Sequence, residues 1–161
     1  MIPRKLYDSD HDMFRDSVRK FIEVEAMPHH EQWEKDGMVS DEIWLKAGEQ
    51  GFLCPMIPEE YGGLGTDFLY NCIVNEEIGR SGCTGLGWTL HNDITVPYIV
   101  RYGSEEQKQK YLPPCMTGEL ITAIAMTEPG AGSDLQGTKT TAVLQGDHYI
   151  LNGSKTFITN G

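Results

Sequence analysis

The sequence of 161 residues has no long apolar run and little positive charge. It offers no stretch near the roughly 18 apolar residues of a membrane-spanning helix, so none is predicted. Lysine and arginine number 13 against 24 aspartates and glutamates, which gives a net charge of −11. Because this charge repels phosphate and no basic cluster is longer than the pair Arg4-Lys5, nucleic acid is not an expected partner.

No CxxC pair occurs either, because the four cysteines, Cys54, Cys72, Cys83 and Cys115, are widely spaced. This spacing argues against a zinc site or a disulfide framework, so we expect reduced cysteines packed inside the protein. A secretory signal is not visible, and the acids that begin at Asp8 do not suit an organelle transit peptide. We expect a cytoplasmic protein, or a mitochondrial matrix protein in its trimmed mature form.

Helical periodicity dominates the first two thirds of the chain. Apolar residues recur near the 3.6 period from Ser9-Asp10 to about Ala26, and Pro28 is expected to end this helix or to bend it. Ser40 predicts the N-cap of a second helix, and Gly51 suits the position just beyond its C-terminal end.

Three more helices are predicted before residue 118. Asp67 opens the first, and the second covers Leu86 to Tyr102 with a kink at Pro97. The third begins at Ser104-Glu105-Glu106-Gln107, which has the pattern of a capping box. Pro113-Pro114 is expected to terminate it.

The last quarter of the chain predicts strands. Thr138 to Leu144 and Tyr149-Ile150-Leu151 are strand-like and flank a turn at Gly146-Asp147. Asn152-Gly153 is the strongest hairpin signal in the sequence. The alternation from Lys155 to Thr159 predicts a further half-buried strand.

We therefore predict a mainly α protein in which residues 1–118 form a helical domain and residues 119–161 begin an antiparallel β domain. Two or three strands ending at Gly161 leave an unpaired edge and too little core for independent stability. The chain is expected to be a portion of a longer protein, or to have that edge covered by another subunit.

Two glycine-rich segments are candidate ligand loops. Gly62-Gly63-Leu64-Gly65 lacks the strand and the GxGxxG pattern of a dinucleotide site, and Gly130 to Asp134 lacks the ending of a P-loop. The second segment follows a predicted strand at Ile124 to Thr127, and its hydroxyls and backbone amides suit a phosphate or a polar ring edge. A solvent-exposed loop whose Ser and Thr bond their own backbone explains the same pattern, and both interpretations stay open.

Other polar residues indicate structure rather than chemistry. His91 lacks the partners of a metal site and is expected to be a packed or capping histidine. His29-His30 is expected at a solvated helix end. Glu76-Glu77 should point to different faces of a helix, so paired acid–base work is not expected of them.

Three longer motifs occur in order: GFLCPMIPEEYGGLG (Gly51–Gly65), YGSEEQKQKYLPPCMTGE (Tyr102–Glu119) and AIAMTEPGAGSDLQGTKTTAVLQGDHYILNGSKTFITNG (Ala123–Gly161). Together they resemble the acyl-CoA dehydrogenase family over nearly the whole chain. HDMFRDSVRKFIEVEAMPHHEQWEKDG near the start and NGSKTFITNG at the end are most similar to its long-chain branch.

The resemblance implies a protein that binds FAD and oxidises an acyl-CoA to trans-2-enoyl-CoA in fatty-acid β-oxidation. The similarity to the long-chain branch implies a long-chain acyl-CoA as the substrate. Electrons would pass to electron-transfer flavoprotein, and the complete protein would be a homotetramer or, less often, a dimer. The catalytic glutamate of the family would lie beyond Gly161. No residue of this chain is therefore assigned a catalytic role, and the 161-residue chain alone is expected to be inactive.

The resemblance also implies two flavin-binding segments. They comprise Ile124, Ala125, Met126, Thr127, Glu128, Pro129, Gly130, Ala131, Gly132 and Ser133, and then Phe157, Ile158 and Thr159. Met126 and Thr127 would lie along the isoalloxazine ring, with Thr127 bonded to its pyrimidine edge. Gly132 and Ser133 would meet the pyrophosphate, and Ser133 would also border the acyl-CoA. Many members have Trp at the position of Phe157. The phenyl ring of Phe157 can still stack on the flavin, but it lacks the N–H of an indole ring.

Two further points concern the acyl chain and the alternatives. Gly82, Gly85 and Gly87 lie where the helical domain of relatives faces the acyl tail, so their small size could leave a channel for a long chain; turn geometry is the other explanation. Three alternative functions stay open: a non-catalytic helical dimerisation or interaction module, an acyl-CoA oxidase, and a flavin monooxygenase of related fold.

Overall fold

The computed structural model describes residues 5–161, which divide into two compact units. The first unit ends at Thr122 and the second is Ala123–Gly161. The helices of the first unit are α1 (Ser9–Phe21), α2 (Met27–Asp36), α3 (Asp41–Glu49), α4 (Phe68–Ser81), α5 (Trp88–Leu90), α6 (Val96–Tyr102) and α7 (Glu105–Thr117). The strands of the second unit are β1 (Thr141–Gln145) and β2 (His148–Asn152).

Three of the predicted helix starts are confirmed by their capping bonds. The hydroxyl of Ser40 accepts from the backbone N–H of Glu42, and the carboxylate of Asp67 accepts from that of Leu69. Ser104 forms the predicted capping box at the start of α7. At α1 the cap is Asp8, one residue before the predicted position. Each such cap supplies a partner for a backbone N–H that the first turn leaves unpaired.

Two interior prolines each follow a π-helical turn. Residues Ile22–Ala26 precede Pro28, and His91–Thr95 precede Pro97. In each case the residue just before the proline donates its N–H to a carbonyl five positions back, at Ile22 and His91. The wider turn makes room for a ring that would collide with the carbonyl four positions back. Pro28 therefore does not end the helical run, which continues through α2.

The prediction that Pro113-Pro114 ends the seventh helix is wrong. Helix α7 continues through both prolines to Thr117 and stops at Gly118, which has a φ of 80°. Leu112 and Cys115 flank the prolines and are fully buried. Their packing offsets the backbone hydrogen bonds that the prolines remove.

The helical unit holds its core in two adjacent clusters. The larger gathers Ile22, Trp44 and Trp88 among its buried members, and the smaller includes Leu112 and Cys115. Burying a large apolar side chain contributes about 1.5–3 kcal/mol, so these residues dominate the stability of the unit. Among the described residues, no helix combines the length and apolar character that crossing a membrane requires.

The cysteine prediction is confirmed. All four cysteines are free thiols, and Cys54, Cys83 and Cys115 are buried while Cys72 is half-buried. Burial raises the pKa of the Cys115 thiol to about 11, which keeps this cysteine protonated and unreactive at neutral pH.

An ion cluster joins α1 to α4. The carboxylate of Glu77 is 2% exposed and accepts hydrogen bonds from Arg15, Arg19 and Arg80 at 2.7–3.2 Å. Arg15 also donates to Glu76 at 2.7 Å. Burial opposes ionisation of Glu77, but the three guanidinium groups outweigh it and lower its pKa to about 2. Glu76 and Glu77 therefore stabilise the packing of α4 against α1.

In the second unit, β1 and β2 form an antiparallel hairpin whose residues are all exposed. Gln145 pairs with His148, so the predicted turn at Gly146-Asp147 is confirmed. The predictions of a hairpin at Asn152-Gly153 and of a strand from Lys155 to Thr159 are wrong, because this stretch is irregular. Ile124 to Thr127 is irregular as well, which corrects the strand predicted there. Alternation shows which side chains share a face, but a strand also needs a hydrogen-bonded neighbour.

Candidate functional site

Two segments of the second unit lie side by side. We call residues 126–133 the glycine loop and residues 155–159 the lysine segment. The backbone N–H of Thr156 donates to the carbonyl oxygen of Thr127 at 3.0 Å. The ammonium group of Lys155 donates to the carbonyl oxygen of Met126, also at 3.0 Å. The fold thus brings together the two parts of the chain that the family resemblance assigned to one ligand.

The carboxylate of Glu128 fastens the glycine loop from within. It is 7% exposed, and it accepts from the backbone N–H groups of Lys139 at 2.7 Å and Thr140 at 3.0 Å. The ammonium group of Lys155 lies 2.9 Å from Oε1 of the same carboxylate. The N–H of Lys139 contributes most to lowering the pKa of Glu128, to about 2, and Lys155 adds to the effect.

The turn of the glycine loop leaves room around its backbone. Glu128 and Ala131 exchange two backbone hydrogen bonds, of 2.9 and 3.1 Å, across the turn. A Cβ atom built on Gly130 or Gly132 would meet no atom within 4 Å. Neither glycine is required by internal packing, and neither has a positive φ. The absence of side chains here allows a ligand to approach the backbone closely.

Apolar and hydroxyl side chains stay exposed beside that open backbone. Phe157 is 93% exposed and has a φ of 55°, a backbone conformation that is uncommon for a residue other than glycine. Met126 is 46% exposed, and Ser133 is also exposed. Thr127 is half-buried. Within residues 5–161 the ring of Phe157 is not packed in a core, so in this chain it is open to contact with a planar ligand.

The remaining predicted site residues contribute less to this arrangement. Ile124 and Ile158 are half-buried, whereas Ala125, Pro129 and Thr159 are exposed. Lys155 was missed by reasoning from the sequence, although a buried acid requires a partner of opposite charge. The sequence shows that Lys155 is a cation close to Phe157, but it does not show that Glu128 is buried.

The polar residues of the helical unit have structural partners. His91 is completely buried, and its Nε2 lies 2.9 Å from the carbonyl oxygen of Cys115, so the prediction of a packed histidine is confirmed. His29 and His30 lie in the first turn of α2, and His29 is exposed as expected, but the helical run continues into α2 from α1, so the predicted helix end is not present at this point. Within residues 5–161, no group of three or more His, Cys, Asp or Glu side chains could hold a metal ion.

The glycines near α4 also have local explanations. Gly82 ends α4 with a φ of 75°. A Cβ atom on Gly85 would lie 3.1 Å from Cγ2 of Val39, so this position needs a small residue for packing within the helical unit. A role in the acyl channel stays a prediction.

Comparison with known proteins gives the family. Residues 8–119 match the N-terminal domain of acyl-CoA dehydrogenases, and residues 123–161 match their middle domain. The chain belongs to the acyl-CoA dehydrogenase family. The long-chain specific acyl-CoA dehydrogenase of Mus musculus mitochondria is 55% identical over 158 residues, which cover 98% of this chain and 37% of the mouse protein. This acyl-CoA dehydrogenase chain therefore spans less than half the length of that relative.

Solved structures of acyl-CoA dehydrogenases share its fold. The crystal structure of acyl-CoA dehydrogenase from Geobacillus kaustophilus matches with a TM-score of 0.95 and 59% identity, covering 99% of this chain and 42% of that one. Acyl-CoA dehydrogenase complexed with FAD from Bacillus anthracis matches with a TM-score of 0.86 and 39% identity, covering 99% and 28%. The predicted fold class, a helical domain followed by the start of the β domain, is confirmed.

Proposed function

We propose that this chain is part of an FAD-dependent acyl-CoA dehydrogenase that converts a long-chain acyl-CoA to trans-2-enoyl-CoA. Membership of the family supports the reaction, and the identity to the mouse long-chain enzyme supports the chain length. The FAD complex of the Bacillus anthracis relative supports the cofactor. Electron-transfer flavoprotein is the proposed electron acceptor, and the complete protein is a homotetramer or a dimer.

One observation carries the proposal: the open backbone at Gly130 and Gly132 lies in a loop that is bonded to the segment containing the exposed Phe157. An anionic pyrophosphate fits backbone that carries no side chains. A planar ring system fits an exposed aromatic side chain. The residues of the chain therefore fit FAD, which combines these two chemical groups.

The proposed contacts are the roles that the family resemblance implies for these residues. Met126 and Thr127 border the flavin ring, where the hydroxyl of Thr127 bonds its polar edge, and Phe157 stacks beside it. Gly132 and Ser133 hold the pyrophosphate, and Ser133 also borders the acyl-CoA. Donors near the polar edge favour the negative charge of a reduced ring. When bound, FAD supplies a two-electron acceptor for the oxidation of the substrate.

Further proposals concern the whole protein. Residues 1–118 are the helical domain and residues 119–161 the start of the β domain. The glutamate that removes the substrate's α-proton lies outside this chain, so the 161 residues alone have no dehydrogenase activity. The mouse relative is mitochondrial, which favours the mitochondrial matrix over the cytoplasm.

The complete protein provides the direct test. We expect yellow protein that releases FAD on denaturation and that reduces an electron acceptor faster with palmitoyl-CoA than with butyryl-CoA. Preference for butyryl-CoA would disprove the long-chain assignment, and colourless, folded protein that takes up no added FAD would favour a non-catalytic module. Rapid reduction of oxygen in place of electron-transfer flavoprotein would favour an oxidase. The 161-residue chain, assayed in parallel, should show no acyl-CoA-dependent activity.

A further inference from the structure

A single cation links two points of the glycine loop to the lysine segment. The ammonium group of Lys155 lies 3.0 Å from the carbonyl oxygen of Met126 and 2.9 Å from the carboxylate of Glu128. These two acceptors lie on opposite sides of Thr127 in the chain. The Lys155 side chain therefore restricts the backbone on both sides of the residue that we expect to meet the polar edge of the flavin.

The carboxylate of Glu128 extends this linkage to a third part of the second unit. Its hydrogen bonds from the N–H groups of Lys139 and Thr140 reach the stretch just before β1. Only 6% of the Glu128 side chain and 23% of the Lys155 side chain are exposed. Exclusion of water strengthens these charged hydrogen bonds, and removal of either partner leaves a buried charge uncompensated.

We propose that Glu128 and Lys155 are positioning residues, which hold the glycine loop in the conformation that receives FAD without bonding the cofactor through their charged groups. This inference rests on the proposed function. The carboxylate of Glu128 faces the interior, and the charge of Lys155 is paired within the protein. The glycine loop therefore presents its backbone and hydroxyl groups to FAD, while the charged side chains of Glu128 and Lys155 hold the loop in shape.

The same contacts allow a different role to be tested against this one. A lysine next to a cofactor loop could bind a phosphate directly. If Lys155 did so, E128Q would release it from its internal partner, and FAD affinity would rise or stay constant. If Lys155 instead holds the loop through Glu128, E128Q and K155M must both weaken FAD binding. The direction of the E128Q effect therefore separates the two roles.

The experiment measures the dissociation constant of FAD for the apo form of the complete protein by flavin fluorescence. We expect K155M and E128Q each to raise it about tenfold, the scale of one charged hydrogen bond. The double variant E128Q/K155M should bind little worse than either single variant, because both changes disrupt one linkage. K155R, which keeps a cation within reach of both acceptors, should recover most of the affinity.

Two controls separate positioning from general stability. K139M removes an exposed cation from the same unit, where only the backbone of Lys139 contacts Glu128. I73V lowers core packing at a fully buried position of the helical unit. We expect I73V to lower Tm without changing FAD affinity, and K139M to change neither. The visible spectrum of the flavin at saturation should shift in K155M and remain constant in both controls.

Several results would overturn the inference. Wild-type protein that binds FAD while K155M and E128Q bind it equally well would reject positioning and leave the proposed function intact. Tighter binding by E128Q would assign Lys155 to direct phosphate contact instead. Wild-type protein that binds no FAD would reject the proposed function itself. If K155M does not fold, the near-isosteric E128Q must still weaken binding relative to K139M for the inference to stand.

Discussion

Nδ1 of His91 accepts a hydrogen bond from the backbone N–H of Thr122, 31 positions further along the chain, at 3.2 Å. Because Nδ1 accepts this bond, the proton of the neutral ring lies on Nε2, which donates to the carbonyl oxygen of Cys115. Burial lowers the pKa of His91 and so favours this neutral form. One buried side chain thus joins helix α7 to the last residue of the helical unit.

We expect His91→Ala to lower the free energy of unfolding by about 2–4 kcal/mol, because it opens a cavity and leaves the N–H of Thr122 and the carbonyl of Cys115 without this partner. Urea denaturation followed by circular dichroism measures the change. His29→Ala is the matched control, since His29 is exposed and should change stability by no more than about 0.5 kcal/mol. Equal midpoints for the two variants would show that the His91 bonds do not stabilise the fold.

The Glu77 cluster predicts a loss of stability in acid. The pKa of Glu77 is about 2 in the folded protein, against a usual value of 4.5. Its contribution is therefore complete above pH 4.5 and is lost as the pH falls towards 2. We expect Glu77→Gln to be about 2–3 kcal/mol less stable at neutral pH and less sensitive to pH in that window. The midpoints of urea denaturation, measured from neutral pH down to pH 2, test this expectation. The exposed Glu60→Gln should follow the wild type, and an unchanged acid profile for Glu77→Gln would contradict the assignment.

Two helical glycines should respond to alanine in opposite directions. A Cβ atom on Gly48 in α3 would lie 2.3 Å from the carbonyl oxygen of Thr117, whereas one on Gly79 in α4 would meet nothing within 4 Å. We expect Gly79→Ala to raise the free energy of unfolding by about 0.5–1 kcal/mol through helix propensity. Gly48→Ala should lower it by roughly 2 kcal/mol or more, because the backbone of α7 must shift. Thermal unfolding measures both changes. If the melting temperatures of the two variants shifted in the same direction, the proposed requirement for a glycine where α3 contacts α7 would be disproved.

The exposed ring of Phe157 should matter for the cofactor and not for folding. We expect Phe157→Ala to change the free energy of unfolding of the 161-residue chain by less than about 0.5 kcal/mol, because the ring is 93% exposed in this chain. The dissociation constant of FAD for the complete protein should rise about threefold to tenfold as stacking is lost. Tyr149→Ala removes another exposed ring of the same unit and should leave FAD binding unchanged. An equal effect of the two variants would remove Phe157 from the proposed site.

Local signals in the sequence predicted helix starts better than helix ends and strands. Ser40, Asp67 and Ser104 each cap a helix as predicted, because a cap depends on residues two or three positions away. Pro113-Pro114 misled the prediction because its local cost is offset by packing of the distant core against α7. The prediction of a hairpin at Asn152-Gly153 failed because, within residues 5–161, no strand pairs with the residues that follow it.

The family motifs located the candidate site, but they did not show how its parts are held. Gly130, Gly132 and Phe157 were predicted in two separate segments of sequence, and the structure brings those segments together through Thr127 and Thr156. Lys155 belongs to the site because the buried carboxylate of Glu128 requires a cation beside it. A charge is read directly from the sequence, whereas its partner depends on how the chain folds.

Sequence motifs and interactions within one or two helical turns are enough to predict the family, the helical character of the first unit and the positions of most of its caps. The packing of distant parts of the chain sets which prolines a helix tolerates, which glutamate is buried and which lysine neutralises it. The reason is physical: desolvation and close packing depend on residues far apart in the chain, such as Glu128 and Lys155, and their energies outweigh local preference where side chains are buried.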